Sequence, residues 1–259
     1  MICKICGSEV EKSFDVKVMH KHDAEYFHCG KCGLLFAGNP YWLNEAYKSA
    51  INISDTGIMS RNIHFSKVVS VLIYFLFNKN GRFVDYAGGY GIFTRLMRDM
   101  GFDFYWTDPY CENFLARGFE YNQSLKGNIN LITAFEVFEH LANPLNEIEK
   151  MLEISDNIVL STVLLPYPIP QAGEWWYYGF DHGQHISFYS EKTLKEISRR
   201  FGLYYYTFYD TILIGKKKLN RNKINILLRI PAELLFRFVK NKVVSKTNSD
   251  FEFIKKINT

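Results

Sequence analysis

The stretch Val84-Asp85-Tyr86-Ala87-Gly88-Gly89-Tyr90-Gly91 decides the fold, because an apolar strand pattern ends there in a glycine-rich turn. A helical pattern follows and ends at Gly101. Glycine is needed where the backbone takes a positive φ or approaches a ligand closely. The N-terminus of the following helix adds free N–H groups and a positive dipole. The stretch therefore predicts a ligand site where a strand meets a helix.

An acidic residue, Asp108, stands at the end of the next predicted strand. An acid at that place can accept hydrogen bonds from both hydroxyls of a ribose. The alternative is a tight turn beside an incidental surface aspartate. The spacing of Gly89 and Gly91 does not supply the Gly-x-Gly-x-x-Gly pattern of a nicotinamide fingerprint. The turn and Asp108 together favour a different nucleoside-containing cofactor.

Short apolar strand patterns alternate with helical patterns over most of the chain. This alternation indicates an α/β fold with a parallel sheet covered on both faces. The last part of the chain departs from it, with a basic helical stretch at 220–244 between two final strands. Strands are predicted at 82–86, 102–107, 130–133, 157–164, 203–214 and 250–257, and helices at 62–78, 92–100, 145–152 and 192–201.

The glycine turn and Asp108 resemble the first two motifs of the class I S-adenosylmethionine-dependent methyltransferases, whose turn reads hydrophobic-Asp-x-Gly-x-Gly-x-Gly. Ala87 stands at the first glycine, where a positive φ would cost about 1 kcal/mol. The resemblance implies a Rossmann-like, mostly parallel seven-stranded sheet with an antiparallel last strand. It also implies that S-adenosylmethionine is held by Asp85, Ala87, Gly88, Gly89, Gly91, Asp108, Pro109, Phe135 and Glu136.

The run Glu136-Val137-Phe138-Glu139-His140, with Pro144 beyond it, resembles the Glu-x-x-Glu-His segment that follows the fourth strand in this family. The resemblance implies that Phe135 and Glu136 lie beside the cofactor. It places Glu139 and His140 near the reaction centre as candidate catalytic residues. An equally open alternative is that these two residues only start and orient a helix.

An aromatic segment at 173–190 follows the predicted fifth strand of the sheet, at the edge where ligands bind. Aromatic faces can stack on sugars or heterocycles, and nearby polar groups can fix hydroxyls. Burial of the same aromatic rings in the core is the alternative. His185 is a candidate general base, or a residue that closes the cofactor pocket. The candidate substrate-binding residues here are Trp175, Trp176, Tyr177, His182 and Gln184.

The run His185-Ile186-Ser187-Phe188 resembles the His-Leu-Ser-Tyr part of a motif in sugar C-methyltransferases that carry an N-terminal zinc domain. Gln184 replaces the glutamate of that motif. Without this carboxylate, deprotonation of carbon is less favoured than methylation of a hydroxyl. Tyr47 resembles a tyrosine of the same family that reaches the substrate pocket.

Two matched pairs, Cys3-x2-Cys6 and Cys29-x2-Cys32, each followed by glycine, open the chain. Four thiolates at this spacing can close a tetrahedral structural zinc site, while a redox dithiol is the alternative for a single pair. We therefore expect a zinc-ribbon-like domain at 1–40 and a linker or substrate-capping segment at 41–61. The methyltransferase domain would then span 62–259, with the basic helical insertion at 220–244.

Composition limits the remaining function classes. Hydrophobic residues make up 47% of the chain and aromatic residues 17%, which excludes disorder of the whole chain. The segment 216–246 carries ten Lys or Arg and one acid, so peripheral membrane contact is an alternative to an amphipathic helix packed on the sheet. Residues 1–40 carry five Lys and five acids, which makes nucleic acid an unlikely partner. No signal-peptide pattern is present, so we expect a cytoplasmic protein. Its oligomeric state is not predicted.

These features predict an enzyme that transfers the methyl group of S-adenosylmethionine to a small molecule. The expected acceptor is a sugar hydroxyl, either nucleotide-linked or part of a surface-polysaccharide precursor. Three alternatives stay open at this point: a sugar C-methyltransferase, an RNA or protein methyltransferase, and a non-catalytic cofactor-binding module.

Overall fold

The alternation of strands and helices appears in a computed structural model that describes residues 1–49, 51–53, 55–125 and 127–257. The N-terminal part contains β1 (Glu11–Val18), β2 (His22–His28), β3 (Leu35–Ala37), α1 (Leu43–Ala46) and α2 (Ile58–Leu76). The middle part contains β4 (Arg82–Tyr86), α3 (Ile92–Asp99), β5 (Asp103–Thr107), β6 (Ile129–Phe135), α4 (Pro144–Ile154) and β7 (Asn157–Ser161). The last part contains β8 (Ser187–Phe188), α5 (Glu191–Arg200), β9 (Tyr204–Phe208), β10 (Thr211–Gly215), α6 (Arg221–Leu228), α7 (Ala232–Lys240) and α8 (Thr247–Ile257).

The central sheet has the order β5-β4-β6-β7-β10-β9. β4 pairs in parallel with β5 and β6, and β6 pairs in parallel with β7. β10 is antiparallel to both of its neighbours, β7 and β9. Because the four parallel strands all end at the same edge, the loops that follow them meet there. The α/β fold with a mostly parallel sheet is confirmed, and its antiparallel strand is β10, which lies within the predicted run 203–214.

The strand count differs from the prediction, since this sheet has six strands among the described residues. The run 203–214 is not one strand but a hairpin of β9 and β10, in which Phe208 pairs with Thr211. Tyr209, in the turn between them, has a φ of +53°. Two-residue hairpin turns usually carry Asn or Gly, so this sequence offered no turn signal. At the outer edge of β5, Trp106 forms only an isolated parallel bridge to Glu120.

The prediction of a final strand at 250–257 was wrong, because this run belongs to helix α8. The Asp250 carboxylate accepts hydrogen bonds from Arg98 at 2.7 and 2.8 Å and from Arg95 at 2.8 Å. Both arginines lie on α3, so these contacts fix the first turn of α8 against that helix. Phe251 and Phe253 of this helix are both exposed.

The cysteine-containing part forms a separate sheet of order β1-β2-β3-β8. Its fourth strand, β8, comes from the downstream half of the chain: Leu35 pairs with Phe188, and Phe36 with Ser187. The N-terminal sheet is thereby hydrogen-bonded to the loop that carries His185.

The basic segment forms the two helices α6 and α7, and the helix α8 follows it in place of the predicted final strand. Phe236 and Val239 are buried in the core cluster that also contains residues of α2, while Ile226 and Leu234 are more than half exposed. Within the part of the chain that the structure describes, no helix has both the length and the apolar character needed to span a bilayer. Peripheral membrane contact through 216–246 stays a prediction.

Candidate active site and cysteine centre

A cleft with a volume of about 1840 Å³ opens at the edge where the parallel strands end. Typical ligand pockets have about 300–1,000 Å³, so this cleft has room for a cofactor and an acceptor together. Most of the predicted site residues line it: Tyr47, Asp85, Ala87, Gly88, Gly89, Asp108, Pro109, Phe135, Glu136, His140, Trp176, Tyr177, His182, Gln184 and His185. Gly91, Glu139 and Trp175 are not among its lining residues.

The glycine turn at the end of β4 has the backbone that the sequence predicts. Ala87 takes a φ of +53° and Gly89 a φ of +54°, so Ala87 does adopt the strained conformation. A Cβ at Gly88 would lie 2.7 Å from an oxygen of Asp85. Gly91 begins helix α3 with a φ of +82°, and a Cβ there would lie 2.6 Å from Asn113. Gly91 therefore shapes the turn from outside the cleft.

Asp85 is almost completely buried beneath this turn. Its carboxylate accepts hydrogen bonds from the hydroxyls of Thr94 at 2.9 Å and Thr133 at 3.0 Å. Burial raises the pKa of Asp85 to about 7, against the opposing effect of these two hydroxyls. Asp85 thus ties β4 to α3 and β6, and its contact with a ligand is limited to a small exposed area.

Asp108 connects the turn to the next strand. One carboxylate oxygen accepts the backbone N–H of Gly89 at 2.9 Å, and the other accepts those of Tyr110 and Cys111 at 2.7 and 2.9 Å. A carboxylate offers about four acceptor positions. Three are in use here, which leaves one for a ligand hydroxyl.

Phe135, the last residue of β6, and Glu136, directly after it, line the cleft. The ring of Phe135 stacks on Phe65 with centroids 4.4 Å apart. Glu136 has a φ of +53°, and its carboxylate accepts the hydroxyl of Ser161 at 2.7 Å. Strained backbone of this kind is concentrated at functional sites.

Arg61 and Asp55 add a charged pair to the cleft that was not predicted from the sequence. Arg61 donates from Nη2 to both oxygens of Asp55, at 2.8 and 2.7 Å. Its Nε lies 3.8 Å from the carboxylate of Glu136. Asp55 belongs to a stretch without hydrophobic periodicity, and no local motif marks either residue.

Glu139, His140 and His185 come together, with one side-chain N or O atom of each within 4.8 Å of those of the other two. Glu139 and His140 both lie in a short 3-10 helix, Phe138–His140, that comes after β6. Glu139 has no solvent exposure, and within the described residues neither of its carboxylate oxygens has a hydrogen-bond partner. Burial, followed by the charge of Glu136, raises the pKa of Glu139 to about 8.

The two histidines of this group are both held through Nδ1. Nδ1 of His140 lies 3.1 Å from the carbonyl oxygen of Gln184 and 2.9 Å from the phenol oxygen of Tyr47. Nδ1 of His185 lies 2.7 Å from the carbonyl oxygen of Tyr177. Burial lowers the pKa of His140 to about 3 and that of His185 to about 4, so both rings are neutral near pH 7.

Gln184 was predicted to bind the substrate, but its side chain is hydrogen-bonded to the backbone of the chain itself. Its side-chain amide donates to the carbonyl oxygens of Ala46 at 3.0 Å and Ser49 at 3.1 Å. These bonds anchor the end of α1 and the segment behind it over the cleft. The backbone N–H of Gln184 donates to Nδ1 of His182 at 3.1 Å.

The aromatic segment divides into core and cleft residues. Contrary to expectation, Trp175 lies outside the cleft and packs against Tyr178 and Phe188, with centroids 5.0 and 5.6 Å apart. Tyr177 is buried, and its hydroxyl lies 3.3 Å from that of Thr162. Trp176 lines the cleft and is 79% exposed, with its ring in edge contact with Tyr177 at a centroid distance of 5.3 Å.

The four N-terminal cysteines form a compact cluster, with their sulfur atoms all within 4.8 Å of one another. Sγ of Cys3 lies 3.5 Å from that of Cys32, and Sγ of Cys6 lies 3.4 Å from that of Cys29. A zinc ion with four Zn–S bonds of about 2.3 Å requires sulfur separations of about 3.8 Å, which this cluster closely approaches. The N–H of Ile5 also points at Sγ of Cys3, at 3.4 Å. The donor set fits a closed structural zinc site.

Comparison with solved structures gives likenesses that concern the fold alone. An O-methyltransferase family protein from Burkholderia thailandensis is 13% identical, with 68% of this chain and 67% of that chain covered and a TM-score of 0.44. An O-methyltransferase family 2 protein from Planctomyces limnophilus, solved with apigenin, is 15% identical with a TM-score of 0.40. That likeness covers 52% of this chain and spans only 51% of the Planctomyces protein. No curated protein sequence matches the chain.

A family model described as a methyltransferase domain matches residues 61–207, which is more than half of the chain. The match includes the glycine turn, Asp108, the Glu139–His140 pair and His185, and it ends within β9. This chain belongs to the methyltransferase-domain family.

Proposed function

We propose that this protein transfers the methyl group of S-adenosylmethionine to a hydroxyl oxygen of a small molecule, with a sugar as the acceptor. The observation that carries the proposal is a single cleft lined by two groups of residues with different chemistry. Gly89 and Asp108 suit a nucleoside, and Tyr47, His140 and His185 form a polar group suited to an acceptor. S-adenosylmethionine supplies a methyl group on a positively charged sulfur.

The cofactor side would hold S-adenosylmethionine through backbone and carboxylate groups. The turn at Ala87–Gly89 brings main chain to the cleft without a bulky side chain in the way. The free acceptor position of Asp108 suits one ribose hydroxyl, and a second hydroxyl could replace the N–H of Gly89. Phe135 and Pro109 supply apolar surface nearby.

The acceptor side would position the hydroxyl for in-line attack. The oxygen–carbon bond forms as the carbon–sulfur bond breaks, the sulfur keeps the electron pair, and the hydroxyl proton is released to water. The chain contributes chiefly by fixing the distance and direction of attack. Because the pKa values of His140 and His185 lie far below 7, these rings are better suited to orienting the acceptor than to holding its proton.

Two features support a sugar hydroxyl over carbon as the acceptor. Gln184 stands where the similar C-methyltransferases carry a glutamate, and an amide cannot take a proton from carbon. The exposed ring of Trp176 suits the apolar face of a sugar ring. We further propose that the cysteine cluster holds zinc and that the N-terminal sheet covers the acceptor side.

The proposal is tested by calorimetric titration with S-adenosylmethionine and by transfer of a labelled methyl group to a panel of sugar nucleotides. We expect binding that weakens strongly in Asp108→Ala and a labelled O-methyl product. Methylation at carbon would identify a C-methyltransferase. Retention on polynucleotide at low salt, with methylated RNA as the product, would favour the RNA alternative. Absence of cofactor binding by the wild-type protein would refute the methyltransferase proposal.

A further inference from the structure

A second cluster of potential metal ligands lies in the cleft, apart from the cysteines. Glu139, His140 and His185 each place one potential ligand atom within 4.8 Å of the other two. Two imidazoles and one carboxylate form a ligand set typical of divalent transition metals in catalytic sites. Three protein ligands leave coordination positions free, and His140 and His185 line the cleft.

The carboxylate of Glu139 gives independent support for a ligand. It has no solvent exposure, and both of its oxygens are without hydrogen-bond partners among the described residues. The hydroxyls of Tyr177 and Thr162 lie 3.3 Å apart, and both are close enough to this carboxylate to lower its pKa against the larger effect of burial. A buried polar group without a partner is costly, and a cation at this place would supply one.

The hydrogen bonds of the two histidines prepare them for coordination. A carbonyl oxygen can only accept, so Nδ1 of His185 must donate to Tyr177. For His140, donation from Nδ1 to the carbonyl oxygen of Gln184 gives the same tautomer, with the phenol oxygen of Tyr47 as a second acceptor. In these tautomers Nε2 carries the free lone pair. Metal-binding histidines are commonly oriented in this way by a carbonyl behind the ring.

His182 provides an internal contrast, although its ring lies 4.7 Å from that of His185. Its Nδ1 accepts the backbone N–H of Gln184, so its proton is on Nε2. This tautomer has no second lone pair to offer to a metal. His182 is therefore a neighbour of the cluster and not a ligand in it.

The backbone holds the ligands in place before any cation binds. The N–H of Ile186, directly after His185, donates to the carbonyl oxygen of Glu139 at 2.8 Å. The carbonyl oxygen of Ile186 accepts the N–H of Ala37 in the N-terminal sheet at 2.9 Å. Such preorganisation keeps the distances between ligand atoms fixed.

We propose that Glu139, His140 and His185 bind one divalent transition metal ion, which faces the acceptor side of the cleft. The chemical role of this ion rests on the proposed function: it would contact the acceptor hydroxyl, lower its pKa and orient it for methyl transfer.

The test is a titration of the full-length protein, purified with zinc in its cysteine centre, with Co²⁺ in the absence of S-adenosylmethionine. We expect one additional Co²⁺ per chain, with visible ligand-field bands and without the thiolate charge-transfer band of cysteine ligation. Glu139→Gln and His185→Asn should each weaken binding at least about tenfold, the loss found even for groups that only orient a ligand. His182→Asn is the matched control and should bind Co²⁺ as the wild type does.

Circular dichroism and zinc content confirm that each variant is folded with its cysteine centre intact. If the wild type binds no Co²⁺ beyond the cysteine centre, or if both ligand variants bind it as tightly as the wild type, the metal site is refuted. Titration with S-adenosylmethionine distinguishes the two proposals. Cofactor binding without Co²⁺ binding refutes only the metal site, and Co²⁺ binding without cofactor binding refutes only the methyltransferase proposal.

Discussion

The phenol oxygen of Tyr47 lies 2.9 Å from Nδ1 of His140, and this contact joins the segment before the family-matched region to the centre of the cleft. The ring of Tyr47 also stacks on Tyr110, which follows β5, with centroids 5.8 Å apart. The segment at 41–61 is thus in contact with both sides of the cleft. Its residues complete a site whose other parts come from the methyltransferase domain.

Replacement of Tyr47 by phenylalanine should lower kcat about five- to tenfold, because a hydrogen bond worth about 1 kcal/mol to His140 is lost. The ring and its stacking on Tyr110 remain, so the affinity for S-adenosylmethionine should not change. Steady-state kinetics and calorimetry measure the two quantities. Tyr41→Phe, at an exposed tyrosine, serves as the control. Equal kcat values for Tyr47→Phe and the wild type would contradict this role.

Gln184→Glu should lower the free energy of unfolding by about 1–3 kcal/mol, because buried groups lose their hydrogen-bond donors. The amide donates to the carbonyl oxygens of Ala46 and Ser49, and a carboxylate would face them with negative charge. Urea unfolding measures the change. The exposed Gln171→Glu is the matched control and should stay within about 0.5 kcal/mol of the wild type. A stability of Gln184→Glu equal to that of the control would show that these hydrogen bonds are unimportant.

Asp250→Asn should destabilise the protein by up to about 3–5 kcal/mol, since it removes one of the two carboxylates paired with the buried guanidinium of Arg98 and leaves only Asp103. Asp156→Asn, which removes an exposed pair with Lys216, should cost less than about 1 kcal/mol. Urea unfolding of both variants at neutral pH makes the comparison. Similar losses in the two variants would rule out a special contribution of the buried pair.

The same ion pair predicts a pH dependence on the acid side. Burial alone would raise the pKa of Asp250, but hydrogen bonds from Arg98 and Arg95 outweigh it and hold the pKa below its usual value. The stabilisation is therefore fully present above the unfolded pKa of about 3.9 and is lost as the pH falls through the lower folded pKa. The difference in stability between wild type and Asp250→Asn should shrink below about pH 4. A difference that stays constant through that range would contradict the assignment.

Loss of a cysteine ligand should affect methyl transfer although the cluster lies outside the cleft. β3, which follows Cys32, pairs with β8 just after His185, so loosening of the N-terminal sheet disturbs the acceptor side. Cys32→Ser should remove the bound zinc, lower the melting temperature and reduce activity. Metal analysis, thermal unfolding and methyl-transfer assays measure these effects. Cys111→Ser, at the cysteine outside the cluster, should keep its zinc. Full activity in a Cys32→Ser protein that holds no zinc would show that the cysteine centre does not support methyl transfer in the cleft.

Most of the α/β framework was predictable because its signals are local. The glycine turn, the acid at the end of the next strand and the paired cysteines each place their chemistry within a few neighbouring residues. The hairpin of β9 and β10 was missed because Tyr209 takes the positive φ that glycine or asparagine usually marks. Helix α8 was missed because its placement depends on contacts between Asp250 and α3, far away along the chain.

The amino-acid pattern alone was enough to predict the mostly parallel sheet and the clustering of the four cysteines, and most of the site residues predicted from it do line the cleft. Only the tertiary structure decided which of them meet. Glu139 and His185 are joined by the backbone bond from Ile186, and Arg61 reaches both Asp55 and Glu136. The physical reason is the distance along the chain over which each effect acts. Turn geometry and hydrophobic periodicity depend on only a few neighbouring residues. The pairing of buried charges and the choice of histidine tautomer depend on groups that the fold brings together from distant parts of the chain.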